Sequence, residues 1–112
     1  MEKKHYIYLI KNRNYTLFKI GYTSNNPEKR FKNYISHNPE VVPIDYWEVP
    51  NKRFENYVRC EVLKLGFIYI DIKHQKEWMC GNLFKMEVDN IIKKLKEQHN
   101  VLQTNGLHNI VS

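Results

Sequence analysis

The residues best suited to chemistry in this chain lie close together in its first third. Tyr6-Ile7-Tyr8 alternates, so both phenols project to one face of an extended segment. Lys19-Ile20-Gly21-Tyr22 follows on what reads as the neighbouring strand, where Gly21 permits a tight exit or a close backbone approach. Arg30 and Tyr34 then stand four apart, on adjacent turns of one side of a helix. Other site types find no support. No phosphate-binding loop, dinucleotide fingerprint, His-Glu-x-x-His helix or paired-Cys zinc pattern occurs, and four Gly in all cannot build a Gly-rich cradle. His5, His37, His74, His99 and His108 are scattered, with no nucleophile at a recognisable spacing. Plainer readings stand beside each candidate: Tyr8 as a core-filling strand tyrosine, Lys19 as a solvent-facing strand residue, Arg30 in a salt bridge to Glu28 or Glu55, and Tyr34 as packing.

Charge points the same way as these residue types. The chain has 112 residues and a net charge of +6. Residues 1–35 hold eight bases (Lys3, Lys4, Lys11, Arg13, Lys19, Lys29, Arg30, Lys32) against Glu2 and Glu28, whereas the remainder is balanced. A localised basic region is the footprint of a phosphate-binding surface. Its position says more than its size, because Lys and Asn are abundant and Ala is absent, as an AT-rich genome would produce. Aromatic residues make up 13% of the chain and are spread along it, which excludes disorder as the main description. No apolar run approaches the roughly 18 residues of a membrane span, and Met1-Glu-Lys-Lys-His lacks the features of a signal peptide. Cys60 and Cys80 are too few for a disulfide framework, so two buried or incidental thiols in a reducing, intracellular setting are expected.

The elements that must position these side chains are short. Residues 5–10 and 17–22 read as strands of an antiparallel hairpin joined by a polar turn. Asn26, Pro27 and Glu28 signal a helix start, and that helix should reach about Ser36 with Phe31, Tyr34 and Ile35 on one face. A third strand is expected over 41–49, broken near Pro43. A second helix over 52–65 is closed by Gly66, with Phe54, Tyr57, Val58, Val62 and Leu65 as its buried face. Residues 67–72 suit an edge strand. A final helix starts at Asn82 with Phe84, Val88, Ile91, Ile92 and Leu95 at helical spacing, fading into a loosely ordered tail over 100–112. The expectation is one α/β (α+β) domain, residues 1–99, built on a small, mainly antiparallel three-stranded sheet in the order β-β-α-β-α-(β)-α.

Tyr6-Ile7-Tyr8, Lys19-Ile20-Gly21 and Arg30-x-x-x-Tyr34 together resemble the GIY-YIG nuclease superfamily. Phe18-Lys-Ile-Gly-Tyr-Thr, Pro27-Glu-Lys-Arg30 and Glu77-Trp78 look more specifically like a branch of phages and large DNA viruses typified by an open reading frame of phage T5. The chain departs from the superfamily with Tyr6 for the first Gly and Lys19 for the second Tyr, a position where some members use an active-site Lys. It departs from the branch with Arg59 where a His is usual in the second helix. The resemblance implies a small DNA endonuclease hydrolysing phosphodiester bonds with one Mg²⁺ or Mn²⁺ ion and no organic cofactor. Glu55 would hold the ion. Arg30 would grip the phosphate, Tyr8 with a phenol pKa lowered beside Lys19 and the metal would orient or deprotonate the water, and Tyr34 and, less directly, Tyr22 would assist. On a helical wheel Glu61 sits nearer the apolar face than Glu55, which keeps it as the alternative ligand. Lys11, Arg13, Lys29, Lys32 and His37 would contact nucleic acid, with little sequence specificity. Glu77-Trp78 is expected to pack the sheet against the last helix. A catalytically weak or inactive domain kept for nucleic-acid binding is the other reading, favoured by Tyr6 and Arg59.

Overall fold

The computed structural model describes the backbone of residues 3–72 and 75–111 and the side chains of residues 3–70 and 78–102. In chain order the elements are β1 (His5–Asn12), β2 (Leu17–Thr23), α1 (Pro27–His37), β3 (Val41–Val49), α2 (Phe54–Lys64), β4 (Ile68–Ile72), β5 (Gln75–Cys80) and α3 (Lys85–Val111). The strands form one five-stranded sheet, β3-β1-β2-β5-β4, with neighbouring strands antiparallel. The expected three-stranded sheet is thus too small. The edge strand anticipated at 67–72 is β4, but β5 escapes the sequence pattern. Its Gln-Lys-Glu-Trp-Met-Cys run carries polar residues over its first half and shows no sustained alternation.

Local chemistry explains the hairpin that carries the site. The Asn12 side-chain oxygen accepts from the amides of Thr16 and Leu17, each at 2.9 Å, and so ties the turn across its base. Tyr15 completes the reversal at φ 56°, a left-handed conformation uncommon outside Gly and Asn. Pro43 sits in the outer strand β3, opposite Ile10, where the register slips between Leu9 and Ile10. At α1 the Asn26 oxygen accepts from the amide of Glu28, with Pro27 at the first helical position.

The register of β1 against β2 decides which side chains meet. Tyr8 faces Gly21 and Ile10 faces Lys19, while Ile7, Leu9 and Lys11 face Tyr22, Ile20 and Phe18 on the other side. The larger core lies on that second face, where Ile7, Leu9, Phe18 and Ile20 pack with Phe54, Val58 and Val62 of α2 and Val88 and Ile92 of α3. The smaller core lies on the first face, where Tyr8, Ile10 and Val41 pack with Phe31 and Tyr34 of α1 and with Trp78. Helix α1 therefore covers one face, and α2 and α3 the other. This overturns the expectation that Trp78 packs the sheet against the last helix: its pairing with Lys19 turns it to the α1 side. The side chain of Glu77 lies outside the described residues.

Two further expectations shift. In α2, Phe54, Val58 and Val62 are buried, but Tyr57 and Leu65 are 43% and 55% exposed. The true apolar stripe is narrower than the sequence spacing suggested. In α1, Ile35 is exposed rather than part of the packing face. Helix α3 runs from Lys85 to Val111. No Pro interrupts it, and one Gly costs only about 1 kcal/mol. Both thiols, Cys60 and Cys80, are free and exposed, which leaves the incidental of the two expected alternatives. Among the described residues no helix is long and apolar enough to cross a membrane.

Candidate functional site

On the α1 face, four of the side chains singled out from sequence converge. Tyr8 and Tyr34 join phenol to phenol at 2.8 Å, and Lys19 Nζ donates to the Tyr34 oxygen at 2.9 Å. The Arg30 guanidinium lies 5.2 Å from the centre of the Tyr34 ring and Lys19 Nζ 5.3 Å from it, so two cations bear on one phenol. Tyr8 is 2% exposed and Lys19 8%, whereas Arg30 is open to solvent. A cleft of about 220 Å³ opens beside them, lined by Arg30, Asn33, Tyr34 and His37. His37 Nδ1 pairs with the Asn33 carbonyl at 2.8 Å, which holds the ring at this rim.

Gly21 explains how a buried tyrosine fits here. A Cβ at that position would come within 2.1 Å of the Tyr8 ring and 2.2 Å of its hydroxyl oxygen. The missing side chain of the Lys-Ile-Gly triplet is the space Tyr8 occupies, so the two triplets interlock across the strand pair.

The protonation balance reverses the expected roles of the two phenols. Burial pushes the Tyr8 phenol well above the ordinary tyrosine range, and its bond to Tyr34 pushes it further, with Arg30 opposing. Burial also acts to raise Tyr34, but hydrogen bonds from Lys19 and Tyr8 and the charges of Lys19 and Arg30 outweigh it, and the net direction is down. Arg30 is held more firmly charged, first through its hydrogen bond to Tyr8. Of the two phenols, Tyr34 is the one that its protein neighbours make more acidic. The protein groups around Tyr8 do not supply the lowering expected of it beside Lys19 and a metal.

Other sequence candidates lie elsewhere. Tyr22 is on the opposite sheet face, where its hydroxyl pairs with His5 Nδ1 at 2.7 Å and Lys52 lies over its ring. Lys11 also faces that side, buried, donating to Asn82 at 2.7 Å. Burial lowers its pKa. Arg13 is exposed at the hairpin turn, and Lys29 and Lys32 are exposed on α1.

The two candidate metal ligands belong to the α2 layer, across the sheet from Tyr8. Glu55 Oε1 lies 3.2 Å from Arg59, whose other commitment is a 2.9 Å bond to the Ile20 carbonyl. The Arg59 Nε is buried and has no partner among the described residues. Both oxygens of Glu61 are taken, by Lys64 at 3.1 Å and Lys94 at 3.4 Å, and these bonds depress its pKa. A divalent ion at Glu55 would face a guanidinium pinned beside it, and one at Glu61 would compete with two ammonium groups. Neither carboxylate fits the ion as arranged, and no group of three or more His, Cys, Asp or Glu that could hold a metal occurs among the described residues.

Sequence reasoning missed Asn33 as a lining residue and Trp78 as a neighbour of the Tyr8 cluster. Register against Lys19 would have found Trp78, had β5 been recognised.

No curated protein and no solved structure matches the chain. Residues 5–96 match the model of the T5orf172 domain, from the start of β1 into α3, a span that holds the whole Tyr8–Lys19–Arg30–Tyr34 cluster. With most of its length so matched, the chain belongs to the T5orf172 domain family.

Proposed function

We propose that this chain is a DNA-acting nuclease domain of the GIY-YIG type, which grips a backbone phosphate at the mouth of the Arg30–Tyr34 cleft and hydrolyses it. The observation that carries the reading is the convergence of Tyr8, Lys19, Arg30 and Tyr34 around one phenol oxygen. Hydrolysis needs a base for water and a cation against the charge that develops on phosphorus oxygens. Tyr34, biased towards phenolate, takes the proton from water as the water oxygen bonds to phosphorus, and the bond from phosphorus to the departing sugar oxygen breaks, that oxygen taking a proton from solvent. Arg30, exposed and permanently charged, presents its planar fork to the phosphate. Lys19 holds the phenolate and adds positive potential. Tyr8 returns a hydrogen bond to Tyr34 and fixes its direction. No step is routed through a metal, because Glu55 is tied to Arg59.

Supercoiled plasmid tests this, incubated with Mg²⁺, with Mn²⁺ or with chelator. Nicking is expected to fall at least ~100-fold in Tyr34→Phe, as loss of a general base does, and by a similar factor in Arg30→Ala. Equal, slow nicking by wild type and both variants sinks the enzymatic reading.

The Glu55–Arg59 ion pair favours a second reading, a nucleic-acid-binding module with little or no catalysis. It is supported if nicking is absent while salt-sensitive DNA binding persists and depends on Arg30.

A further inference from the structure

A second recess opens on the α1 face, about 380 Å³ in volume, between the start of α1 and the strands β1 and β3. Tyr6 and Tyr46 form its floor, edge to face with ring centres 6.0 Å apart, and Tyr46 is 37% exposed. Lys4, Ser24, Asn25, Asn26 and Glu28 supply its polar rim, with one cation and one carboxylate among them. It adjoins the phosphate cluster through a run of rings: Tyr46 meets Phe31 at 6.1 Å, Phe31 meets Tyr8 edge-on at 6.0 Å, and Tyr8 meets Tyr34 at 5.9 Å. Pro27 lines the recess, and Arg30 follows it three residues later. That is just under one helical turn, about 4.5 Å along the axis, so the same helix borders both the recess and the cluster.

We propose that this recess binds an unpaired nucleobase of the strand whose phosphate Arg30 holds, so that the domain selects single-stranded or branched DNA over a continuous duplex. The proposal rests on the nuclease reading for the position of that phosphate, and goes beyond it in naming the substrate. An exposed ring at the floor of a recess can stack only on a base whose own face is free, which a base inside a duplex does not offer. The Asn25 amide has both donor and acceptor for a base edge, and Lys4 is suited to the next phosphate. Tyr46 is the residue on which selection turns, because it is the half-open ring of the pair and its strand lies at the edge of the sheet.

The test is fluorescence anisotropy in chelator, with a short single-stranded oligonucleotide and its duplex, and with a 2-aminopurine version of the single strand to report stacking. Wild type is expected to bind the single strand more tightly and to quench 2-aminopurine. Tyr46→Ala should weaken single-strand binding about tenfold, within the range for loss of one base–aromatic stack, and leave duplex binding unchanged. Tyr46→Trp should restore both affinity and quenching. Unaltered single-strand affinity in Tyr46→Ala, equal losses on both substrates, or no quenching by wild type overturns the proposal. Arg30→Ala separates the two readings. If it leaves affinity for both substrates unchanged while Tyr46→Ala weakens only the single strand, the phosphate assignment falls and the base site stands.

Discussion

The Tyr34 oxygen receives Lys19 and Tyr8 together, and this double donation gives its ionisation a direction. Its pKa lies below the ordinary phenol value of about 10, so the ionised fraction grows as pH rises towards that value. If phenolate is the working form, the nicking rate climbs with pH and levels off once Tyr34 is fully ionised. Lys19→Met removes a hydrogen bond and a positive charge that both favour the phenolate, while keeping most of the buried stem. Its pKa should rise, lowering the rate near neutrality and moving the climb to more alkaline pH. A pH–rate profile of wild type and Lys19→Met, with ultraviolet titration of tyrosinate, checks this, and an unmoved profile removes Tyr34 as the base. Tyr8→Phe has a different expectation. Tyr8 stays protonated through this range, so its loss should shift the profile in the same direction by less, since only one neutral donor goes.

At the level of elements, the first two strands hold the site through complementary volumes. Gly21→Ala puts a methyl group into the Tyr8 ring, which is closed in by Phe31 and Tyr34 and cannot swing away. Overpacking of this kind costs about 1–3 kcal/mol, and the displaced ring should break the bond to Tyr34. Urea unfolding should show the loss of stability, and nicking should fall with it; a variant as stable and active as wild type would remove the interlock. The same strands show what was legible from sequence. Tyr8, Lys19, Arg30 and Tyr34 could be brought together because strand alternation and helix periodicity are local rules acting on adjacent elements. The α2 carboxylates could not be placed that way. Which sheet face α2 covers depends on long-range packing, and counting exposed Tyr57 and Leu65 as buried turned the wheel towards Glu61. The strand β5 was illegible because its pairing partner β2, not its composition, makes it a strand. On the α2 layer, Glu55→Gln is expected to cost only about 0.5 kcal/mol, as for other partly exposed helix pairs. It should also leave nicking unchanged, measured by denaturation and the plasmid assay. A large loss of activity would return Glu55 to the site as a ligand.

For the whole molecule, the charge excess that looks continuous in sequence is divided by the sheet. Arg30, Lys29 and Lys32 stand on the α1 side, while Lys11 is turned to the α2–α3 side and bonded to Asn82. DNA gripped at Arg30 therefore meets only part of the basic third, and the salt dependence of binding can count that part. Each phosphate neutralised contributes a slope of about 0.9 in the logarithm of affinity against the logarithm of salt for duplex DNA. Lys29→Gln with Lys32→Gln should lower the magnitude of the slope by up to about 1.8, if each side chain meets one phosphate. Lys11→Met should leave the slope as it is, because its ammonium group is already spent on Asn82, and should show itself in a denaturation curve instead. A slope that falls with Lys11→Met and not with the α1 pair would place the DNA on the other face of the sheet, away from Tyr34.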